Sequence, residues 1–467
     1  PSPPAAQATA WPMPLPPLPP LPTVVDESLA LPEGVLVALR DDTGLWLHRG
    51  AEKVRKLLDS GRMGSFKLSP DGRWVAYEVS TESNGWDLWV VSTASGTPKQ
   101  IVDAAELAQR LPAQQYSSEY RRLTKLDAYD WGWSPDSAAL VYGTYEASTE
   151  TGVDTTFNDD LWRQPLSGGG SERLLAPGKG GRFAFSPDGA KVVLTRMVYE
   201  GGRIFNEIAL ADSQGGDSRV LLRLDPVGTD SEWRVFIMPQ WSPDSRSLLL
   251  PLTRAAPADG YWTRSEDPVP MIRLQFDGSY RIIVPTVHIP LTQDYNGLWS
   301  PNAAAVAYYQ PMLTLTDELA VTPPATRIAT AEAVDGLGAY PRPNPTALMK
   351  DHAALMIASS ETGVGEVYDW VRSGTHRLCW SPSGKRFAYD TGNGQQRWGA
   401  LDERVRILGD SKGMTQCRWL SENQLLLDDA EGLRLHRLDG RQRQLMTAAK
   451  GESTDFAVHL PAPPHPA

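Results

Sequence analysis

The chain has 467 residues, with 40 Gly, 39 Pro and a net charge of −11. This acidity disfavours nucleic acid as a partner, because such binding depends on Lys and Arg neutralising phosphates. No apolar run approaches the roughly 18 residues needed to cross a bilayer, so membrane association would require a tether or a partner. The length exceeds what one ordinary core spans and favours an array of small repeated units.

Residues 1–32 are expected to form a proline-rich, extended leader. Within it, residues 11–22 (WPMPLPPLPPLP) are typical of polyproline II, which forms neither helix nor central strand. Such a segment can be a stiff tether to a membrane or a larger assembly. It can also be a docking strap that fills grooves on a partner protein. The side chains available for docking would be Trp11, Met13, Leu15 and Leu18.

One turn recurs throughout the rest of the chain. The motif Ser69-Pro70-Asp71-Gly72 follows a short apolar run and precedes an alternating run, residues 74–79, that is typical of a half-buried strand. Pro presets the turn, Asp bonds its own backbone, and Gly accepts a positive φ. Related turns begin at Ser134, Ser186, Ser242, Ser300 and Ser381, and a degenerate one includes Ser421.

The spacing of these turns predicts the fold class. They recur roughly every 50 to 80 residues, which suits a four-stranded propeller blade with its loops. The strands are short, and the one helix expected, over residues 103–111, is also short, so a parallel α/β sheet is excluded. The sequence therefore predicts an all-β protein, a β-propeller over residues 33–467.

The chain ends predict how many blades there are. Residues 33–60 supply three strands without an inner one, and residues 452–460 supply one extra strand after the last repeat. Pairing these segments would make a composite blade and remove exposed sheet edges. The count is then eight four-stranded blades. Seven or nine remain possible, because an irregular insertion occupies about residues 312–351.

The Ser-Pro-Asp-Gly hairpins and strands of the Asp87-Leu88-Trp89 type resemble the TolB-like family of WD-type β-propeller repeats. Similar repeats occur in the propellers of prolyl-oligopeptidase-type enzymes. The resemblance covers about residues 33–460 and implies a propeller in the periplasm or at the cell surface. This sequence shows neither the α/β domain of TolB nor the hydrolase domain of the peptidases, so the resemblance implies no activity.

No catalytic residue is predicted. The sequence contains no Gly-x-Ser-x-Gly motif, and its seven His form no closely spaced metal-binding pair. A propeller can still gather distant side chains at the mouth of its channel. An enzyme such as a metal-dependent lyase or a glycan hydrolase therefore stays open as an alternative.

Cys379 and Cys417 are the two cysteines. They occupy similar places in consecutive repeats but are one residue out of phase. In a strand, such an offset points side chains to opposite faces. This argument favours two buried thiols and leaves a disulfide as the alternative.

The lengths of the links between strands predict a binding face. Links between the first and second strands of each repeat, and between the third and fourth, are short. The other links are long, and in an up-and-down blade they emerge together on one face. Candidate binding residues on this face are Trp86, Tyr199, Tyr261, Trp262, Glu266 and Asp267.

Asp159 and Asp160 offer a further possibility on the long-link face. With loop carbonyls they could hold Ca²⁺, and the sequence indicates no other cofactor. They could equally belong to a solvated acidic rim.

The favoured hypothesis is a non-enzymatic interaction or scaffold propeller, exported as part of a bacterial cell-envelope assembly. A propeller enzyme and a glycan-binding propeller remain the alternatives.

Overall fold

A computed structural model describes most of the chain, in two compact units. One unit comprises Pro1–Leu29 with Leu224–Lys450, and the other comprises Ala30–Arg223 with Gly451–Ala467. The described residues are 16–52, 54–59, 61–81, 86–110, 122–148, 155–157, 159–200, 203–224, 227–228, 234–235, 238–252, 263–264, 269–287, 297–311, 352–372, 377–410, 414–447 and 455–461.

The unit built on Ala30–Arg223 contains four antiparallel blades, whose strands a to d are hydrogen-bonded in that order. The composite blade consists of Asp455–His459, Leu36–Arg40, Gly44–Arg49 and Arg55–Asp59. Blade 1 consists of Met63–Leu68, Trp74–Ser80, Trp86–Ser92 and Pro98–Val102. Blade 2 consists of Arg122–Trp133, Ala139–Ser148, Leu161–Pro165 and Glu172–Leu175. Blade 3 consists of Arg182–Phe185, Lys191–Glu200, Arg203–Asp212 and Arg219–Leu224.

The unit built on Leu224–Lys450 contains four more such blades. Blade 4 consists of Gln240–Trp241, Leu248–Pro251, Val269–Leu274 and Tyr280–Val287. Blade 5 consists of Gly297–Trp299, Ala305–Pro311, His352–Ser359 and Gly365–Arg372. Blade 6 consists of Leu378–Trp380, Arg386–Asp390, Gln395–Ala400 and Arg406–Asp410. Blade 7 consists of Gln416–Trp419, Gln424–Asp429, Gly432–Arg437 and Arg441–Thr447.

Eight four-stranded blades define a β-propeller, so the predicted fold class and blade number are confirmed. Outside the blades, Val227–Gly228, Arg234–Val235 and Thr263–Arg264 form a small three-stranded sheet. Ala104–Arg110 is the only helix among the described residues. Asp103 caps it by accepting the N–H groups of residues 105 and 106 at 2.8 and 3.0 Å.

The composite blade joins the two ends of the chain as predicted. Asp455–His459 pairs antiparallel with Leu36–Arg40 in a continuous register. An ion pair between Arg40 and Asp455 secures one end of this register. At the other end Pro461 packs against Gly34, where an added Cβ would lie 3.1 Å from the proline ring. Strand b of this blade therefore presents no open edge.

Each Ser-Pro-Asp turn is closed by its own side chains. The Ser134 hydroxyl donates to Asp136 Oδ1 at 2.5 Å, and its oxygen accepts the N–H of Ala139 at 2.9 Å. Asp136 Oδ1 also accepts the N–H of Ala138 at 3.0 Å. The bond from the Ser134 hydroxyl holds the pKa of Asp136 below its ordinary value, against the opposing effect of burial. These aspartates therefore act as turn residues.

The same pairing recurs in the other turns. The serine hydroxyl donates to the Asp or Asn two residues later at 2.6 to 2.7 Å in the turns that begin at Ser69, Ser186, Ser242 and Ser300. The fourth turn residue has a φ between 58° and 72° in every case: Gly72, Ser137, Gly189, Ser245, Ala303 and Gly384. The left-handed backbone explains why glycine is frequent there.

Cys379 and Cys417 form a disulfide, so the expectation of two free thiols is wrong. Each lies in the innermost strand of its blade, and the blades are neighbours. Their Cα atoms are 5.9 Å apart, within the usual range for a disulfide. The phase argument holds for one sheet only. Side chains that point to opposite faces of two neighbouring sheets meet in the space between them.

The leader packs on the blades from Pro16 onward, which differs from the expectation of a free extended segment. The Leu18 N–H donates to the Val405 carbonyl at 2.8 Å, and its carbonyl accepts the Ile407 N–H at 2.9 Å. Val24–Val25 then pairs in parallel with the outer strand of blade 7. We call residues 16–29 the leader strap. An outer strand offers unpaired N–H and C=O groups, and the strap satisfies some of them.

Proline suits this strap because it keeps its carbonyl acceptor although it lacks an N–H. Arg404 Nε donates to the Pro16 carbonyl at 3.0 Å, and Arg406 Nη1 donates to the Pro19 carbonyl at 3.0 Å. Further along, Arg443 Nη1 donates to the carbonyl of Leu29, which is buried. Arginines in and just before the outer strands therefore bind the strap through its backbone.

We expect Val24→Pro to destabilise the protein by about 1 to 3 kcal/mol, since it removes the Val24 N–H that donates to the Gly440 carbonyl at 3.0 Å. The matched control is Val25→Pro. In this parallel pairing the N–H groups of residues 24 and 26 bond blade 7, whereas that of the exposed Val25 does not. Chemical denaturation measures both. Equal stability of the two variants would contradict a paired strap.

We also expect deletion of residues 452–467 to cost several kcal/mol and to lower cooperativity of unfolding. It removes strand a of the composite blade and leaves the backbone of Leu36–Arg40 unpaired. Thermal and denaturant unfolding of the full and shortened chains would measure the loss. A melting temperature within a degree or two of the intact chain would contradict this role of the C-terminal strand.

Candidate interaction surface

Blades 2 and 3 extend toward the side of the long links. In blade 3, strands b and c are ten residues each and stay paired from Lys191↔Asp212 to Glu200↔Arg203. In blade 2, strand a pairs with strand b as far as Arg122↔Ser148, and Thr155–Phe157 adds a further short strand. We call the b–c ends of blades 1 to 3 the long-link surface. In blades 2 and 3 the extra pairs lengthen the hairpins on this side.

A charged network lies within the blade 3 hairpin. Arg196 and Glu207 face each other across strands b and c, are both buried, and form an ion pair. Arg196 Nη1 also donates to the carbonyls of Lys179 and Gly180 at 2.9 and 3.1 Å. These bonds tie the hairpin to the link that precedes blade 3. A buried charge held by several partners fixes the geometry of its surroundings.

The network continues outward to solvent. Arg223 Nε donates to Glu207 Oε2 at 3.0 Å, and Arg223 Nη1 donates to Glu200 Oε2 at 2.6 Å. Both Arg223 and Glu200 are substantially exposed. The surface therefore combines an ordered, buried base with charged groups that a partner could reach. The sequence analysis missed this network, although a cross-strand Arg and Glu in an otherwise apolar hairpin could have indicated it.

Asp160 is held entirely by protein donors. Its carboxylate accepts the Thr144 N–H at 2.8 Å, the Thr144 hydroxyl at 2.7 Å and the Trp162 indole N–H at 2.7 Å. Burial raises its pKa, and the bonds from Trp162 and Thr144 oppose that effect. The Asp-x-Trp spacing thus serves to bond the start of strand c to strand b.

Asp159 has a different environment from its neighbour. Its backbone is left-handed, with a φ of 47°, and its carbonyl accepts the Gly180 N–H. Burial raises the pKa of its carboxyl group to about 7, and the Arg196 guanidinium opposes that rise. The structure assigns this carboxyl group no hydrogen-bond donor among the described residues. It is therefore an acid that changes charge near neutral pH.

Trp86 begins strand c of blade 1 and is half-buried. It packs against Gly64, where an added Cβ would lie 2.5 Å from the indole ring. Beside it the buried Glu78 accepts the Ser65 N–H at 2.9 Å and the Trp131 indole N–H at 2.5 Å. Trp86 thus lies on the long-link surface, partly accessible and firmly placed.

The other predicted binding residues lie in different parts of the chain. Tyr199 lies in the extended hairpin, opposite Ile204. Leu18 belongs to the leader strap and is half-buried. Predicted residues outside the described part of the chain are Trp11, Met13, Leu15, Tyr261, Trp262, Glu266 and Asp267. The structure therefore brings Trp86, Asp159 and Asp160 to the b–c ends of their blades and leaves the assignment of the remaining side chains as a prediction.

A second buried network joins blades 5 and 6. Asp369 accepts bonds from the Tyr389 hydroxyl and from Arg397 Nη1, the latter at 2.6 Å. Burial raises the pKa of Asp369, and Arg397 opposes that effect. Burial also raises the pKa of Tyr389 well above its ordinary value. Since all three side chains are buried, this network connects two sheets and presents no surface.

In the described ranges no three His, Cys, Asp or Glu side chains are grouped as a metal site would require. None of their helices has both the length and the apolar character needed to cross a membrane.

Comparisons with known proteins find similarity among solved structures alone. No family model and no curated protein matches the chain. Among solved structures, an oligogalacturonate lyase in complex with manganese is 12% identical, with 94% of this chain and 99% of that chain covered and a TM-score of 0.44. TolB from Acinetobacter baumannii is 14% identical, with 91% and 83% covered and a TM-score of 0.34.

A third solved structure is the acylaminoacyl peptidase of Pyrococcus horikoshii, at 12% identity and a TM-score of 0.41. Here 82% of this chain is covered, but it spans only 52% of the peptidase chain. Identities this low say nothing about activity. The class that the eight blades define is the β-propeller, as the resemblance to TolB-like repeats implied.

Asp159→Asn should stabilise the protein above neutral pH. The folded-state pKa of about 7 lies above the ordinary 3.8, so folding favours the protonated form. The contribution of the protonated carboxyl group to folding stability is complete below pH 4 and is lost as the pH rises through 7. We expect the variant to gain about 1 to 3 kcal/mol at pH 8 and almost nothing at pH 4.

Denaturant unfolding at the two pH values measures this gain. The control is Asp160→Asn, which should destabilise at both, because its carboxylate accepts three hydrogen bonds. An Asp159→Asn variant that is no more stable than the parent at pH 8 would contradict the assignment of a partly buried acid without a hydrogen-bond donor.

Proposed function

We propose that this protein is a non-enzymatic interaction propeller that binds a protein partner through its long-link surface. The observation that carries the proposal is the contrast between the two sides of the blades. On one side the turns that begin at Ser69, Ser134 and Ser186 are short and closed by their own Ser–Asp bonds. On the other side the hairpins of blades 2 and 3 carry extra strand pairs, and blade 2 has a longer link between Ser148 and Leu161.

The electrostatics of the long-link surface support the same function. A binding surface needs side chains held in place by a rigid base. The Arg196–Glu207 pair supplies such a base, and Arg223 and Glu200 extend it to solvent. The half-buried Trp86 adds an aromatic group of the kind that often anchors interfaces.

We further propose an extracytoplasmic location, in the periplasm or at the surface of a bacterial cell. Disulfides persist in oxidising compartments and are rare in the cytosol. The Cys379–Cys417 bond supports this location, as does the resemblance to TolB-like repeats. A tethering role is proposed only for residues 1–15, since the leader strap is bound to blades 6 and 7.

One observation favours an enzyme as the second candidate. Catalytic acids and bases commonly have a pKa close to the working pH, and that of Asp159 is about 7. The buried Arg196 and Glu207 influence this pKa from beneath the surface. A glycan would be a suitable substrate or ligand for such a cluster of carboxylates.

Trp86→Ala should weaken partner capture, because its half-buried indole lies on the long-link surface. Aromatic anchors typically cost about 2 kcal/mol or more when truncated to Ala. That loss corresponds to a roughly thirty-fold weaker complex. Quantitative pull-down from a cell-envelope extract, followed by titration of the captured protein, measures the change.

The matched control is Gln214→Ala, an exposed residue of a short turn on the opposite side of blade 3. Equal capture by both variants would contradict the assignment of the binding face. Asp159→Asn separates the two candidate functions, because an interaction surface would retain its partner whereas an enzyme would lose turnover of glycan substrates.

A further inference from the structure

Two clefts open between neighbouring blades on the side of the short turns. The first lies between the composite blade and blade 1, and we call it the terminal cleft. The second lies between blades 2 and 3, and we call it the regular cleft. The terminal cleft is lined by Gly34, Leu36, Arg49, Asp71, Gly72, Arg73, Trp74, Ser92, Thr93, Ala94 and His459. The regular cleft is lined by Ser134, Pro135, Asp136, Val141, Arg163, Phe185, Gly189, Ser213 and Gln214.

The two clefts are equivalent in construction. One wall of each is a directly opposed pair from strands b and c, Leu36↔Arg49 in the terminal cleft and Val141↔Arg163 in the regular cleft. The other wall is formed by the a–b and c–d turns of the following blade. Each cleft therefore contains an arginine of strand c. Arg49 lies opposite the first residue of strand b, and Arg163 lies opposite the third.

In both clefts the glycine of an a–b turn packs closely against the preceding blade. A Cβ added at Gly189 would lie 2.6 Å from Pro135, which belongs to the turn of the preceding blade. A Cβ added at Gly72 would lie 2.7 Å from the ring of His459. His459 therefore occupies in the terminal cleft the place that Pro135 occupies in the regular one.

The clefts differ because the composite blade has no a–b hairpin. Its strand a comes from the C-terminal part of the chain and its strand b from the N-terminal part. No Ser-Pro-Asp turn can therefore fill the space beside Arg49. The terminal cleft has a volume of about 480 Å³, whereas the regular cleft, which contains Ser134, Pro135 and Asp136, has about 100 Å³.

The missing turn also removes a negative charge. In the regular cleft Arg163 lies 3.9 Å from Asp136 Oδ2 and 3.7 Å from Glu172 Oε2. In the terminal cleft Arg49 has no carboxylate within ion-pair distance among the described residues, and Arg73 is paired with its own neighbour Asp71 at 2.6 Å. The guanidinium of Arg49 thus faces an open space where its counterpart faces a carboxylate.

We propose that the terminal cleft binds a carboxylate-bearing ligand, with the carboxylate against Arg49, as the carboxylates of Asp136 and Glu172 lie near Arg163 in the regular cleft. A volume of about 480 Å³ lies within the range of small-ligand pockets and accommodates a short acidic peptide or a small organic acid. Arginine suits this recognition, because its planar fork matches the geometry of a carboxylate. The site lies on the side opposite to the long-link surface of the same blades and is independent of the proposed function.

The test uses the full chain and a fluorescent peptide, acetyl-Ser-Pro-Asp-Gly, which reproduces the missing turn. We expect saturable binding that weakens at least tenfold when the peptide Asp is replaced by Asn. Arg49→Gln should cause a similar loss, Arg49→Lys a smaller one, and Arg163→Gln no change, since that arginine already has its carboxylate. Arg49 is exposed, so its variants should fold.

Competition with glutarate distinguishes the two sources of the carboxylate. Displacement of the peptide by glutarate at similar concentrations would support a free organic acid as the ligand, and failure to displace it would support an acidic peptide. Equal binding by the Asp and Asn peptides would overturn the proposal. It would also be overturned if Arg49→Gln and Arg163→Gln bound alike, or if neither peptide nor glutarate bound saturably.

Discussion

The hydrogen bond from a serine hydroxyl to the Asp or Asn two residues later is the interaction on which these blades depend. It is repeated in five turns, at 2.5 to 2.7 Å. The same serine oxygen accepts the first N–H of strand b, as with Ser134 and Ala139 at 2.9 Å. The bond therefore fixes both the turn and the register in which strands a and b pair, and register decides which side chains enter the core.

The turns also align one blade with the next. The Asp71 N–H donates to the Ser137 hydroxyl at 3.1 Å, and the Asn302 side chain donates to the Ser383 carbonyl at 3.1 Å. Ser137 is buried and has a positive φ, so it accepts some backbone strain to hold that contact. Where the composite blade lacks its turn, His459 provides the contact instead. The site beside Arg49 is a direct result of that substitution.

Much of this fold could be predicted from the sequence, because its signals are local. Each Ser-Pro-Asp turn specifies its own geometry, and alternation such as that of residues 74–79 specifies a half-buried strand. The leader strap could not be predicted in the same way. It binds through backbone groups, and Val24 or Leu18 carries no side-chain pattern that reveals a parallel neighbour. The Cys379–Cys417 bond joins two sheets, so a rule about phase within one sheet gave the wrong answer.

The candidate surface was less predictable than the fold, because its properties depend on burial. Asp159 and Asp160 are neighbours in sequence, yet only the Asp160 carboxylate accepts three hydrogen bonds. The pKa of Asp159 is instead set by burial and by a nearby guanidinium. The same holds for the Arg196–Glu207 pair. A buried ion pair adds little net stability, since the cost of removing both charges from water offsets their attraction. Removing one partner alone is costly, because it leaves the other charge buried without its partner. Such a pair therefore fixes the geometry of the hairpin and adds little to its stability. The short turns are held by local hydrogen bonds that any blade can repeat, whereas the long-link surface is held by charged pairs that occur once. Such a surface can therefore differ from blade to blade without disturbing the propeller.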